Sequence, residues 1–302
     1  LSIQGKKPDT IYRDNLENHL IEQKPDMPDQ SIILESLGKD PNFSVWNPQQ
    51  TLLGVLLTLI PWIAFNLVST ALGSNSPSAP ALTPGQDLVG AFVAFVLSAV
   101  LEGIFLIAPY YYAQKALVSQ NLLAAQAAVK VRVQAVFQAL GLRRFKPGRA
   151  LLWIVGLMIL IIVVDLLYAY VISVLHLNIQ TNDQVVLQES ATEPLTVYGL
   201  LAASIFVAPL CEETFFRGFV FTGLLRELSP IWAMLVSAAL FAIAHLDPGS
   251  FVPLFAIGIA LAFLRWRTGS TWPGIILHML NNSLSTLLII LAIHNVNVNL
   301  PF

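Results

Sequence analysis

Apolar residues occur in this chain as long, nearly unbroken blocks, at about 51–72, 88–113, 150–175, 196–225, 231–246, 251–264 and 271–293. A helix rises about 1.5 Å per residue, so roughly 20 residues cross a hydrocarbon core of about 30 Å. Continuous runs of that length predict transmembrane helices, whereas a membrane β-barrel would show short segments alternating in polarity. The expected fold is all-α, a polytopic transmembrane helix bundle of about seven spans. The fifth and sixth runs are short and flank the breaker Asp247-Pro248-Gly249-Ser250, so they are expected to tilt or to form an interrupted hairpin. In the segment 114–142, Leu122, Leu123, Ala125, Val129, Val133, Val136, Phe137 and Leu140 recur at near-helical spacing among Gln, Lys and Arg. That pattern predicts an amphipathic helix on the cytoplasmic surface, with an extension of the second span as the alternative.

Composition agrees with a lipid environment. Of 302 residues, 56% are hydrophobic and 11% charged, against about 25% charged in soluble domains. A net charge of −2 carries no footprint of a nucleic-acid partner. The single cysteine, Cys211, excludes a disulfide within the chain and a multi-cysteine metal site. Residues 1–45 are polar, carry five basic and eight acidic side chains, and include Pro25 and Pro28. They read as a partly disordered cytoplasmic tail with a short helix at 30–38. The chain begins at Leu1, which leaves the completeness of that tail open. The expected organisation is this tail, transmembrane helices and the amphipathic segment over 46–195, a core over 196–295, and a short tail over 296–302.

Orientation follows from the basic residues. Seven lie between the second and third runs: Lys115, Lys130, Arg132, Arg143, Arg144, Lys146 and Arg149. The remainder lie in the tail, late in the fourth run (Arg217, Arg226) and after the sixth (Arg265, Arg267). The loops 73–87, 176–195 and 247–250 contain none. The positive-inside rule then predicts a cytoplasmic N-terminus and, after seven crossings, an extracytoplasmic C-terminus.

Ionisable side chains inside apolar runs are costly and mark function by default. Glu102, Asp165, Glu212, Glu213 and Arg217 are of this kind, joined by His245, His278, Asn281 and Asn282. Counting from the nearest cytoplasmic landmark at about 1.5 Å per residue, Glu212, His245 and Asn282 lie about 21–22 Å deep and His278 about 17 Å. Glu102 and Asp165, at about 20 and 24 Å, share that level and are expected to face inward. Glu213 and Arg217 are i and i+4, as are Phe241 and His245, and His278 and Asn282, so each pair shares a helix face. Glu212 projects roughly 100° away from Glu213. A desolvated glutamate beside an imidazole can take a proton from water and return it to a leaving amine, while His and Asn donors can stabilise an oxyanion. Glu212, His245 and His278 are equally three donors of the kind that hold catalytic zinc. A proton-coupled transporter and a non-catalytic membrane scaffold are the other classes; the first would carry inverted repeats, and none is evident.

Three motifs in order carry a resemblance: Glu212-Glu213-Thr-Phe-Phe-Arg217, Phe241-Ala-Ile-Ala-His245 and His278-Met-Leu-Asn281-Asn282. They match the Glu-Glu-x-x-x-Arg, Phe-x-x-x-His and His-x-x-x-Asn motifs of the CPBP intramembrane endopeptidases, the family of CAAX prenyl proteases and bacteriocin-processing proteins also called the Abi domain. The resemblance covers about 195–295. It implies Glu212 as catalytic base aided by His245, His278 and Asn282 as the oxyanion hole, and Glu213 with Arg217, beside Phe241, as supports. Members have been described both as glutamate-dependent and as zinc enzymes; the metal-free mechanism is preferred here, with zinc on Glu212, His245 and His278 as the alternative. It also implies membrane lipid and a peptide or protein substrate as partners, a lipidated one included, since eukaryotic members cleave prenylated proteins.

Overall fold

The computed structural model describes residues 42–73, 84–177 and 194–294, with positions 179 and 186 between them. The helix expected at 30–38 and the tail 296–302 lie outside the described residues. The elements are α1 (Pro48–Gly73), α2 (Pro84–Glu102), α3 (Ile104–Ser119), α4 (Val129–Ala139), α5 (Pro147–Val174), α6 (Pro194–Phe206), α7 (Ala208–Glu213), a π-helical stretch (Thr214–Phe221), α8 (Thr222–Leu224), α9 (Pro230–Ala244), α10 (Phe251–Thr268) and α11 (Trp272–Ile293). Proline opens or nearly opens several of them, where its missing N–H costs nothing and its fixed φ suits the first turn. Gly269, at φ 67°, ends α10 in the left-handed conformation, its N–H bonded to Arg265 O.

The protein is an integral, multi-pass membrane protein. Among the described residues, six stretches are long and apolar enough to cross: Pro48–Leu72, Gly85–Ser119, Pro147–Val174, Leu195–Leu224, Phe251–Thr268 and Trp272–Ile293. Leu52, Leu57 and Leu72 of α1 and Leu151, Leu152 and Leu167 of α5 are exposed, the arrangement of a bundle that turns apolar faces to lipid. The seventh apolar run is α9, with 15 residues, or about 22 Å. It is too short to cross alone, which refines the expected seven spans to six long ones and a short helix packed among them.

Contacts between element ends show how the rods run. Asp87, in the first turn of α2, accepts from Leu195 N, Thr196 N and Thr196 Oγ1 at the start of α6, so α2 and α6 run parallel. At one end of the bundle, Arg226 donates to Ser44 O and Trp46 O, Arg143 Nε to Gly269 O, and Thr271 N to Gly141 O. At the other end, Tyr168 Oη donates to Gly249 O, and Tyr198 Oη lies 3.3 Å from His294 Nε2. Successive runs therefore alternate in direction, and Asn42 and His294 lie at opposite ends.

The structure adds detail to the expectations at three places. The amphipathic segment 114–142 is not one helix. Its first residues belong to α3, a turn follows, and α4 holds only Val129–Ala139, with Ala135, Val136 and Ala139 buried in the core. Around the end of the expected tail, Ser44, Val45 and Trp46 are buried, and Gln120 Nε2 donates to Val45 O. The second and fourth runs are each broken, at Gly103 and around Val207.

Candidate active site

The site is built on the fourth run. Pro209 restarts the helix after α6, and α7 presents Cys211, Glu212 and Glu213, all buried. The π-helical stretch then buries all eight of its residues, among them Phe215, Phe216, Phe219 and Phe221. A π-helical turn is rare, holds an extra residue per turn and concentrates at functional sites.

Within it, Arg217 Nη1 donates to Glu213 Oε1 at 2.7 Å, with both side chains 0% exposed. Arg217 Nη2 donates to Gly258 O on α10, and the guanidinium lies 4.3 Å from the Phe241 ring centroid. Glu213 Oε1 also accepts from His278 Nδ1 at 3.2 Å. Glu212 Oε2 lies 3.9 Å from the other ring nitrogen, Nε2, beyond hydrogen-bond distance. His278 thus stands between the two adjacent carboxylates, one facing each ring nitrogen. Gly274, one turn before it, lets Glu213 approach α11: an added Cβ would lie 3.0 Å from Glu213 Oε2.

His245 caps the C-terminal end of α9, and its Nδ1 is 2.8 Å from Phe241 O. A carbonyl only accepts, so Nδ1 bears the proton and a neutral ring presents the Nε2 lone pair. The Phe241 ring packs against both imidazoles, with centroids 4.6 Å from His245 and 5.6 Å from His278. His245 interacts electrostatically with His278, Arg217 and Asp247.

The remaining predicted residues separate. Glu102, at the break between α2 and α3, interacts electrostatically with Glu212 and Cys211, and its Oε2 is buried. Asn282 Nδ2 donates to Ser204 O on α6 at 2.9 Å, so part of its donor capacity ties α11 to α6. Asp165 is half-buried on α5, and among the described residues no hydrogen bond or ion pair joins it to the cluster. Among the described residues, the carboxylate oxygens Glu102 Oε2, Glu212 Oε2 and Glu213 Oε2 are buried without a hydrogen bond.

As they stand, the candidate zinc donors do not form a metal centre. Among the described residues no group of three or more His, Cys, Asp or Glu side chains is placed to hold a metal ion. Sequence reasoning missed the π-helix, the bond from His278 to Glu213, and two indole donors, Trp46 and Trp62, that reach backbone carbonyls of the site-bearing helices. The one available signal for the indoles was an N–H inside an apolar run, which needs an acceptor when buried.

The geometry is that of a buried cluster of carboxylates, imidazoles and a guanidinium at the junction of apolar helices. Residues 194–284 match the family described as "Type II CAAX prenyl endopeptidase Rce1-like". Over these residues the chain is similar to the CPBP family of intramembrane proteases. It is 31% identical over 102 residues to the Bacillus subtilis (strain 168) protein named "Putative membrane peptidase YdiL", covering 34% of this chain and 40% of that one. It is 27% identical over 171 residues to an uncharacterized protein of Mycoplasma capricolum subsp. capricolum, covering 50% and 48%. The chain thus spans less than half the length of these relatives. No solved structure shows a significant match.

Proposed function

We propose that this protein is an intramembrane endopeptidase that hydrolyses a peptide bond by water activation on Glu212. The observation that supports it most is the His278 ring held between Glu212 and Glu213, with His245 packed on the same phenylalanine, inside the family-matched segment. Glu212 Oε2 is buried and carries no hydrogen bond, so it is available to accept a proton. The His245 Nε2 lone pair orients the same water. Water adds to the scissile carbonyl carbon and its proton passes to Glu212. The oxyanion that forms is stabilised by His278 Nε2–H and by the second Asn282 amide hydrogen. Because His278 Nδ1 already donates to Glu213, a proton on Nε2 makes the ring an imidazolium. The C–N bond then breaks, and Glu212 returns its proton to the leaving amine. Arg217 and Glu213 orient the ring, and Glu102 supports Glu212.

The substrate is a membrane-embedded or membrane-bound peptide, a lipidated chain being one candidate class. The end of the bundle that carries Arg143, Arg226 and Arg265 faces the cytoplasm by the positive-inside rule, which puts residue 294 outside; reporter fusions at Arg144 and at the C-terminus test this. The activity is tested with purified protein in liposomes and a membrane-peptide reporter library. Wild type is expected to cleave, also after chelation, whereas Glu212→Gln, which keeps the shape and removes the base, should lose orders of magnitude in kcat while remaining folded. Cleavage by Glu212→Gln at the wild-type rate, or activity lost on chelation and restored by zinc, would overturn this reading.

A further inference from the structure

The helix that ends at His245 leaves four backbone carbonyls without partners from its own ladder. The acceptors are fully assigned. Phe241 O takes His245 Nδ1, Ala242 O takes His245 N, and Ile243 O takes Leu246 N. The fourth, Ala244 O, takes the indole Nε1–H of Trp62 on α1 at 3.0 Å. Three of the four bonds are made by the helix end itself; the last comes from a helix outside residues 194–284.

Ala244 O belongs to the peptide unit whose nitrogen is that of His245, so whatever orients this carbonyl orients the backbone from which the imidazole hangs. The geometry just beyond it is strained: Leu246 is held at φ 51°, a left-handed conformation that leucine disfavours. Ala244 is buried, so a lost donor cannot be replaced by bulk water without the chain moving. The indole is itself fixed by packing. Its ring lies 5.0 Å from Phe105, which contacts Phe216 at 5.8 Å, which contacts Phe241 at 5.3 Å, against which His245 lies.

We infer that Trp62 is a positioning residue for the reaction: its N–H sets the Ala244–His245 peptide plane and so holds the His245 imidazole at the water-activating position. This rests on the proposed proteolytic reading, in which His245 orients the water. A displacement of about 1 Å at such a group costs up to about 100-fold in rate.

The test compares wild type, Trp62→Phe, Trp62→His and Glu212→Gln on one cleavable reporter in liposomes. Phenylalanine keeps a ring but has no N–H. Histidine, with its ring turned over, places Nε2 where the indole Nε1 lies. The expected result is a kcat about 10-fold or more below wild type for Trp62→Phe with KM within about twofold, and recovery to within about threefold in Trp62→His. A merely structural role would lower the melting temperature and leave kcat unchanged. If Trp62→Phe does not fold, Trp62→His carries the test: near-wild-type kcat supports the inference, and a folded but slow Trp62→His overturns it. Trp62→Phe with wild-type kcat, or a loss carried by KM alone, while Glu212→Gln is inactive, overturns the inference and leaves the proteolytic reading standing. A fully active Glu212→Gln removes both.

Discussion

Arg217→Met tests whether the buried ion pair organises the site. In the native state Arg217 has a 2.7 Å bond to Glu213, a bond to Gly258 O and a close approach to the Phe241 ring, all at 0% exposure. Methionine fills much of the volume but leaves the Glu213 carboxylate in a dry core with only His278 to answer it. Removing one member of a buried pair costs about 3–5 kcal/mol, because the other charge stays desolvated. Changing Glu213→Gln at the same time removes that charge, so the double variant should be more stable than Arg217→Met by about 2 kcal/mol or more. Its residual loss, about 1–3 kcal/mol, reflects the unmet Gly258 carbonyl. The single cysteine offers the assay. Cys211 is free and buried, so a maleimide fluorophore reports its exposure as detergent-solubilised protein is heated. At about 2–4 °C per kcal/mol, Arg217→Met should melt about 6–20 °C below wild type, and the double variant should recover several degrees. Arg217→Met melting with wild type, or a double variant less stable than the single, would refute the reasoning.

Two further predictions use the same protein. Asn282→Ala should lower kcat by about 10²–10³ if its free amide hydrogen serves the oxyanion; a lower melting temperature with unchanged kcat would leave it only its tie to Ser204 O. Gly199→Ala should destabilise by about 1–3 kcal/mol through overpacking, since its Cβ would fall 2.1 Å from Ala91 O where α2 and α6 run side by side; a melting curve unchanged from wild type would show that these helices can separate without cost.

The apolar runs were legible because hydrocarbon thickness imposes a minimum length on any helix that crosses it. The polar residues inside them were legible for the complementary reason: each costs too much in lipid to be there without a partner. The Glu213–Arg217 pair followed from i, i+4 spacing alone, and it forms even though a π-helical stretch begins between the two residues. The expected separation of Glu212 from Glu213 by about 100° did not foresee that both would meet one imidazole, from opposite sides, because the ring comes from α11, some 65 residues along the chain.

What the linear pattern determined is therefore the kind of helices, the rough extent of the apolar runs and the identity of the residues too polar for lipid. What only the tertiary structure decided is where those helices break and which groups meet. All eight residues of the π-helical stretch are buried, Arg217 among them, so no alternation of buried and exposed faces marks its period in the sequence. Gly103 and Val207 sit where the second and fourth apolar runs break. Trp46 and Trp62 read as ordinary apolar residues until Phe219 O and Ala244 O are found beside their indole nitrogens. The reason is common to all three: hydrophobicity is a property of one side chain in one medium, whereas a hydrogen bond in the membrane interior depends on which backbone group from a distant helix lies about 3 Å away.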